Sequence, residues 1–183
     1  MAYPFATAAE FSEATGLPLP DDLARWQSHL LMASSVIRAY CHQVLSLVTA
    51  DVYTAYPTVS SFLSLPERPV TAVSQVLVNG VATTAYYIAP GGRGIRSGTV
   101  PSPGAAWTSG AVVTYSHGYA ETSDEFSVFR EVCIAAAARA IQGPTEGPEY
   151  GGIAPETIGW ATQIYLTDGE KAMLDRFKRG PVR

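Results

Sequence analysis

Residues 21–56, DDLARWQSHLLMASSVIRAYCHQVLSLVTADVYTAY, hold the change of period on which the fold turns. Up to Val44, the apolar positions Leu23, Trp26, Leu30, Ala33, Ile37, Tyr40 and Val44 step by three and four, the spacing that stacks side chains along one face of an α-helix. Asp21 or Asp22 stands where a carboxylate can take a free amide at the helix start. Arg25, Gln27, Ser34 and Arg38 fall opposite the apolar stripe, so that face is expected to stay wet. From about Leu45 the period drops to two, and β-branched and aromatic residues accumulate. Strands are predicted over 48–56, 61–65, 72–78, 83–88 and 111–116.

Working outward, the ends of the chain are helical. Thr7 and Glu10 have capping-box spacing, in which hydroxyl and carboxylate satisfy each other's backbone amides, and Gly16 can close the short helix that follows. Thr122 and Glu125 repeat the pattern ahead of a helix that runs to Gln142 and buries Phe126, Phe129, Val132, Cys133, Ala136, Ala140 and Ile141. Its alanines allow another backbone to approach closely, which places it at the centre of a helical pack. Thr167 and Glu170 open a last helix through Met173, Leu174 and Phe177, stopped by Gly180-Pro181. Within the β region, Asn79-Gly80 is the dipeptide a type I′ hairpin requires, and Pro66, Pro69, Pro101 and Pro103 belong in turns or at edges. The expected fold is α+β: a small helical bundle of about four helices with an inserted antiparallel β subdomain. Its parts are 1–46, 47–120 and 121–183, the last with a long Gly/Pro-rich loop at 142–160.

Composition narrows the function classes. The chain has 183 residues, 47% hydrophobic and 15% charged, enough to bury roughly 70% of its unfolded surface without disulfides or a structural metal. Its apolar runs fall far short of the ~20 residues that cross a bilayer. MAYPFATAAE lacks the basic start and apolar run of a secretory signal, so the chain is expected to begin in a cytoplasm. Cys41 and Cys133 each sit in an apolar helical pattern and read as buried free thiols. With 16 acidic against 12 basic residues, the chain lacks the cationic footprint that gripping phosphates requires. Between Pro69 and Ala120 the only charged side chains are Arg93 and Arg96. A surface so poor in charge is a solubility risk unless neighbours cover it.

Candidate chemistry is sparse. Cys41 belongs to the buried stripe while His29 and His42 read as surface residues, so no Cys–His pair is expected. Two cysteines and three histidines show no metal-ligand spacing. Gly91-Gly92-Arg93-Gly94 precedes a strand rather than a helix N-terminus and lacks a following Gly-Lys-Ser/Thr, so it is a loop with an arginine tip rather than a phosphate cradle. No catalytic, cofactor-binding or metal-binding residue is assigned. The rival from another class is a small enzyme or ligand-binding protein with a pocket built from His117, Tyr86, Tyr87, Trp107 and Tyr119.

The order of elements and four local strings resemble the head-tail connector (adaptor, head-completion) proteins of long-tailed bacteriophages, as found in phages of actinobacteria. The first string is Phe5-Ala6-Thr7-Ala8-Ala9-Glu10-Phe11 with Gly16. The second is Ile37-Arg38-Ala39-Tyr40-Cys41 leading into strands that open with Leu65-Pro66-Glu67-Arg68-Pro69-Val70. The third runs from Trp107 through Ser116-His117-Gly118-Tyr119. The fourth comprises Glu156-Thr157-Ile158-Gly159, Leu166-Thr167-Asp168 with Glu170, and Leu174-Asp175-Arg176-Phe177-Lys178. The resemblance covers essentially the whole chain and implies a structural virion subunit in the neck, assembled in the host bacterial cytoplasm. Such a subunit forms a ring, typically of twelve copies, between the portal protein and a tail-proximal neck or tail-terminator protein. DNA passes through the ring without specific binding. The alternative within the same setting is another neck or tail-terminator protein, which would be mostly β. Three interaction regions are expected. They are the C-terminal patch Arg176, Phe177, Lys178 and Arg179, the loop at 150–160 with Tyr150, Ile153, Ile158 and Trp160, and an arginine tip of Arg93 and Arg96. Deleting residues 169 onward is expected to abolish docking while leaving the fold mostly intact.

Overall fold

A computed structural model describes residues 3–100, 104–142 and 164–179. The chain divides into a helical unit, Met1–His42 with Asp124–Arg183, and a β unit, Gln43–Ser123.

In the helical unit, α1 (Ala8–Thr15) begins at the capping box as expected: the Thr7 side chain accepts the Glu10 amide and the Glu10 carboxylate accepts the Thr7 amide. Gly16 closes α1 with φ 70°. Helix α2 (Ala24–Cys41) starts beside Asp22, whose Oδ1 accepts the Ala24 amide at 2.9 Å. It buries Trp26, His29, Leu30, Ala33, Ser34, Ile37 and Cys41. Several positions differ from the expected pattern: Leu23 precedes the helix and is 37% exposed, and Arg38 is half-buried over the Phe5 ring. Val44 lies beyond the helix, which ends where His42 turns left-handed at φ 56°. Ser34 is fully buried, because its hydroxyl donates to the Leu30 carbonyl at 2.7 Å and accepts the Phe5 amide at 2.8 Å. His29 is buried rather than superficial, with Nδ1 2.7 Å from the Arg25 carbonyl oxygen.

Helix α3 (Asp124–Gln142) packs on α2 more extensively than any other helix pair, with Cys133, Ala136, Ala137 and Ala140 buried. The small side chains permit the close approach. Phe5, Phe126, Phe129 and Phe177 form an aromatic cluster, edge-on except for the tilted Phe5–Phe129 pair, with Phe129 and Phe177 centroids 4.7 Å apart. Burying each such ring is worth roughly 1.5–3 kcal/mol relative to leaving it exposed. Helix α4 (Asp168–Leu174) has its own capping box at Thr167 and Glu170 and passes into a 3-10 turn at Asp175–Phe177.

Among the described residues the β unit has seven strands: β1 (Val48–Ala55), β2 (Phe62–Ser64), β3 (Val70–Val78), β4 (Val81–Ala82), β5 (Tyr86–Ile88), β6 (Gly94–Ser97) and β7 (Ala111–His117). They form a four-stranded sheet in the order β1-β7-β3-β4 and a three-stranded sheet in the order β2-β6-β5, all pairs antiparallel. The β3–β4 hairpin turns through Asn79 at φ 51° and Gly80 at φ 78°, as the type I′ reading required. Two strands escaped the sequence reading. β4 has only two residues, and the glycines of GGRGIRSG hid β6.

The inward positions of β7, namely Ala111, Val113, Tyr115 and His117, alternate strictly with outward ones. Both sheets contribute to one core that includes Leu63, Leu65, Val70, Val76, Ile95, Trp107, Val113 and Tyr115. Gly118 fixes the end of β7: its φ is 88° and a Cβ there would lie 2.3 Å from the Ser46 carbonyl oxygen.

Candidate functional site

The β unit carries the first candidate surface. Arg93 is exposed at the turn into β6, whereas Arg96 lies within β6 and not at a tip. Its register partners are Phe62 on one side and Tyr87 on the other, and its guanidinium stands 5.4 Å from the Phe62 ring centroid. The outward face of the four-stranded sheet bears no charge at Val52, Thr54, Val112, Thr114, Gln75 or Leu77. Val52, Tyr56, Val59 and Val81 are exposed large apolar side chains of this unit. Of these four, Val81 lies in the charge-poor stretch between Pro69 and Ala120, and the other three precede it.

The C-terminal segment is the second. Arg176 is exposed and lies over the Phe177 ring at 4.6 Å. Lys178 covers the Tyr40 ring at 4.1 Å and sits 4.0 Å from Asp175. Arg179 donates its backbone amide to the Cys41 carbonyl. Phe177 is different in kind, because it is 5% exposed and packs on Phe129, so it belongs to the core. The expectation for the deletion from 169 onward is corrected accordingly. That deletion removes buried Leu174 and Phe177 together with the ion pair of Glu170, and so damages the helical unit itself. The patch is also less cationic than a count of its basic residues suggests, since Lys171 pairs with Asp168 at 3.1 Å and Lys178 with Asp175 at 4.0 Å; Glu170 takes Arg139 of α3 on both oxygens at 2.8 Å. That bidentate pair carries no sequence signature, because its members lie 31 positions apart. Tyr150, Ile153, Ile158 and Trp160 lie outside the described residues.

Electrostatics follow from these contacts. Burial alone would raise the Glu170 carboxyl, but the hydrogen bonds from Arg139 and Thr167 outweigh it and hold the group below its ordinary value. Burial pushes the Cys41 thiol up to about 11 and raises Cys133 as well. The Tyr40 hydroxyl donates to Asp175 Oδ1 at 2.6 Å, and that bond moves the phenol up to about 12.

The pocket imagined around His117 is not assembled. Trp107 is buried in the β core with Nε1 donating to the Ser61 carbonyl, Tyr86 packs against the same core, and Tyr87 faces outward from it. His117 is buried, with Nε2 3.3 Å from Asp51 Oδ2 and its ring 5.2 Å from that of Tyr115. Both cysteines are free and buried, and both belong to the helical unit. Among the described residues, no group of three metal-ligating side chains occurs, and no helix is long and apolar enough to cross a membrane.

No protein-family model matches the chain, and no curated protein does. Solved structures do. A chain in the neck of a native gene transfer agent particle, computed with C12 symmetry, superposes with a TM-score of 0.57 at 17% identity, covering 100% of this chain and 94% of its own. A chain of the virion of the native gene transfer agent gives 0.56 at 18% identity, with 100% and 95% covered. The neck of the empty particle, computed with C6 symmetry, contains a chain with the same values. This chain has the fold of a neck component of a phage-like particle. The match covers all of this chain, and so residues of both units, and 94% of the other.

Proposed function

We propose that the chain is a head-tail connector subunit, a structural component that assembles as a ring between the portal and the tail-proximal neck proteins. The observation that carries this reading is the full-length likeness to chains in a neck resolved with rotational symmetry. A ring needs heterologous surfaces, one on each side of the protomer, and closes when the rotation between copies permits. The uncharged outward positions of the β unit and its exposed Val52, Tyr56, Val59 and Val81 supply apolar surface for such contacts. Arg176, Lys178 and Arg179 supply cationic contacts toward the portal or an adjacent copy, and the loop with Tyr150, Ile153, Ile158 and Trp160 packs on a neighbour.

The net charge of -4 suits a conduit. A cationic lumen would hold each passing phosphate, whereas a weakly acidic one lets the duplex slide. The chain makes and breaks no covalent bonds in this role, and its place is the virion neck.

The test mixes the purified chain with portal-bearing capsids and images the vertex by electron microscopy. Added density with rotational symmetry at the portal vertex is expected. Capsids whose vertices stay unchanged at saturating chain would contradict the proposal.

A further inference from the structure

The outer face of the three-stranded sheet carries a row that joins three strands. Phe62 of β2, Arg96 of β6 and Tyr87 of β5 are successive register partners. Leu63 and Ile95, their neighbours in sequence, point the other way into the core. Ser64 shares the side of Phe62, and Arg68 reaches it through Nη2, 3.3 Å from Ser64 Oγ. Arg93 stands exposed at the turn into β6. No Asp or Glu occurs between 69 and 120, and among the described residues no carboxylate forms an ion pair with Arg93 or Arg96. Arginine flanked by aromatic rings is the composition enriched where binding energy concentrates at protein interfaces.

The complementary surface is on the same chain. The connector between α1 and α2 exposes Asp21 and Asp22, with Glu13 on the last turn of α1 beside it, and no basic residue precedes Arg25. Leu19 and Leu23 are 52% and 37% exposed in the same segment. Among the described residues none of these three carboxylates forms an ion pair. Pro18 and Pro20 stiffen the segment, which reduces the entropy lost on docking.

Resting on the ring-subunit reading above, we propose that the α1–α2 connector of one copy seats on the Phe62–Arg96–Tyr87 face of the next. Asp21 and Asp22 meet the arginines, and Leu19 lies on the rings. The two surfaces differ, so the contact is head-to-tail and propagates around a ring. Duplex DNA is the poorer occupant, because the β unit offers only Arg68, Arg93 and Arg96 and the chain as a whole is acidic.

Charge reversal tests the pairing. R96E alone, and D21R with D22R, should each raise the concentration for half-maximal ring formation by at least about tenfold, read by sedimentation for the chain alone or by vertex occupancy on portal-bearing capsids. Combining all three substitutions should bring it back to within about threefold of wild type. Circular dichroism confirms that each variant folds. Independently, Tyr87→Cys with Leu19→Cys should give a ladder of disulfide-linked copies, against a silent background because Cys41 and Cys133 are buried. Rings that form at unchanged concentration in R96E, with no ladder, would overturn this contact and leave the ring reading standing. A chain that neither assembles nor occupies the vertex would overturn both. Duplex DNA binding by wild type that R96E abolishes, with assembly unaffected, would reassign the face to nucleic acid and overturn the contact.

Discussion

Glu170 is one charged side chain held by several partners. Its carboxylate accepts the Thr167 amide at 2.7 Å and both Nη groups of Arg139, and its side chain is about one-tenth exposed. Glu10 makes the same cap at Thr7 and pairs with Arg130 at 3.0 Å, but both of those side chains are about one-third exposed. The difference in exposure sets the magnitudes. Glu170→Gln should cost about 1–3 kcal/mol at pH 7, and Glu10→Gln less than about 1 kcal/mol. Because the folded carboxyl of Glu170 lies below its ordinary 4.5, its stabilisation is complete above that value and is lost as pH falls through the folded pKa. Urea unfolding at pH 7 and pH 3 should therefore show a gap between wild type and E170Q that narrows in acid. A gap independent of pH would show that the ion pair contributes nothing. The thiols offer a second measurement at this scale. With Cys41 moved up to about 11 and both cysteines buried, Ellman's reagent at pH 8 should label them at the rate of unfolding, and fast labelling of the native chain would contradict the packing.

At the scale of elements, the 3-10 turn Asp175–Phe177 presents Arg176 outward and Phe177 inward, so neighbouring residues should answer differently to truncation. Phe177→Ala is expected to cost about 3–5 kcal/mol through the cavity left against Phe129. Arg176→Ala should stay within about 0.5 kcal/mol and change only association. Thermal melts of both variants check this, and equal losses would contradict it. The same turn shows what a one-dimensional reading misses. Periodicity places Phe177 on a helix, but which way it faces depends on α3, and the register of contact between distant segments is not written in local spacing. Two caps and the hairpin were legible because their partners lie within three or four residues: Thr7 with Glu10, Thr167 with Glu170, Asn79 with Gly80; the box expected at Thr122 and Glu125 does not open α3, which begins at Asp124. Strand β6 was not, since glycines weaken its local preference and its place is fixed by pairing with Phe62 and Tyr87. Ser34 was misread for a related reason, because its burial depends on an amide 29 residues away. Of the candidate surface, the two arginines of the insert stood out by charge alone, while the aromatic row around Arg96 required the sheet.

At the scale of the whole molecule, the division of labour is between a helical unit that carries the excess negative charge and a β unit that carries almost none. Neither unit assembles a set of groups for bond-making chemistry among the described residues. What the chain offers is surface: an uncharged sheet face, an arginine–aromatic row, an acidic connector and a C-terminal strip of paired charges. Surfaces of that kind suit a protomer whose partners are copies of itself and other components of a particle. The most direct measurement of the proposed connector role is therefore deletion of the chain's gene from its genome, followed by electron microscopy and DNA assay of the particles that result. The account predicts capsids that package DNA but lose it and carry no tails, with both defects restored by supplying the chain in trans. Particles that retain their DNA and join tails at normal frequency without it would contradict the account.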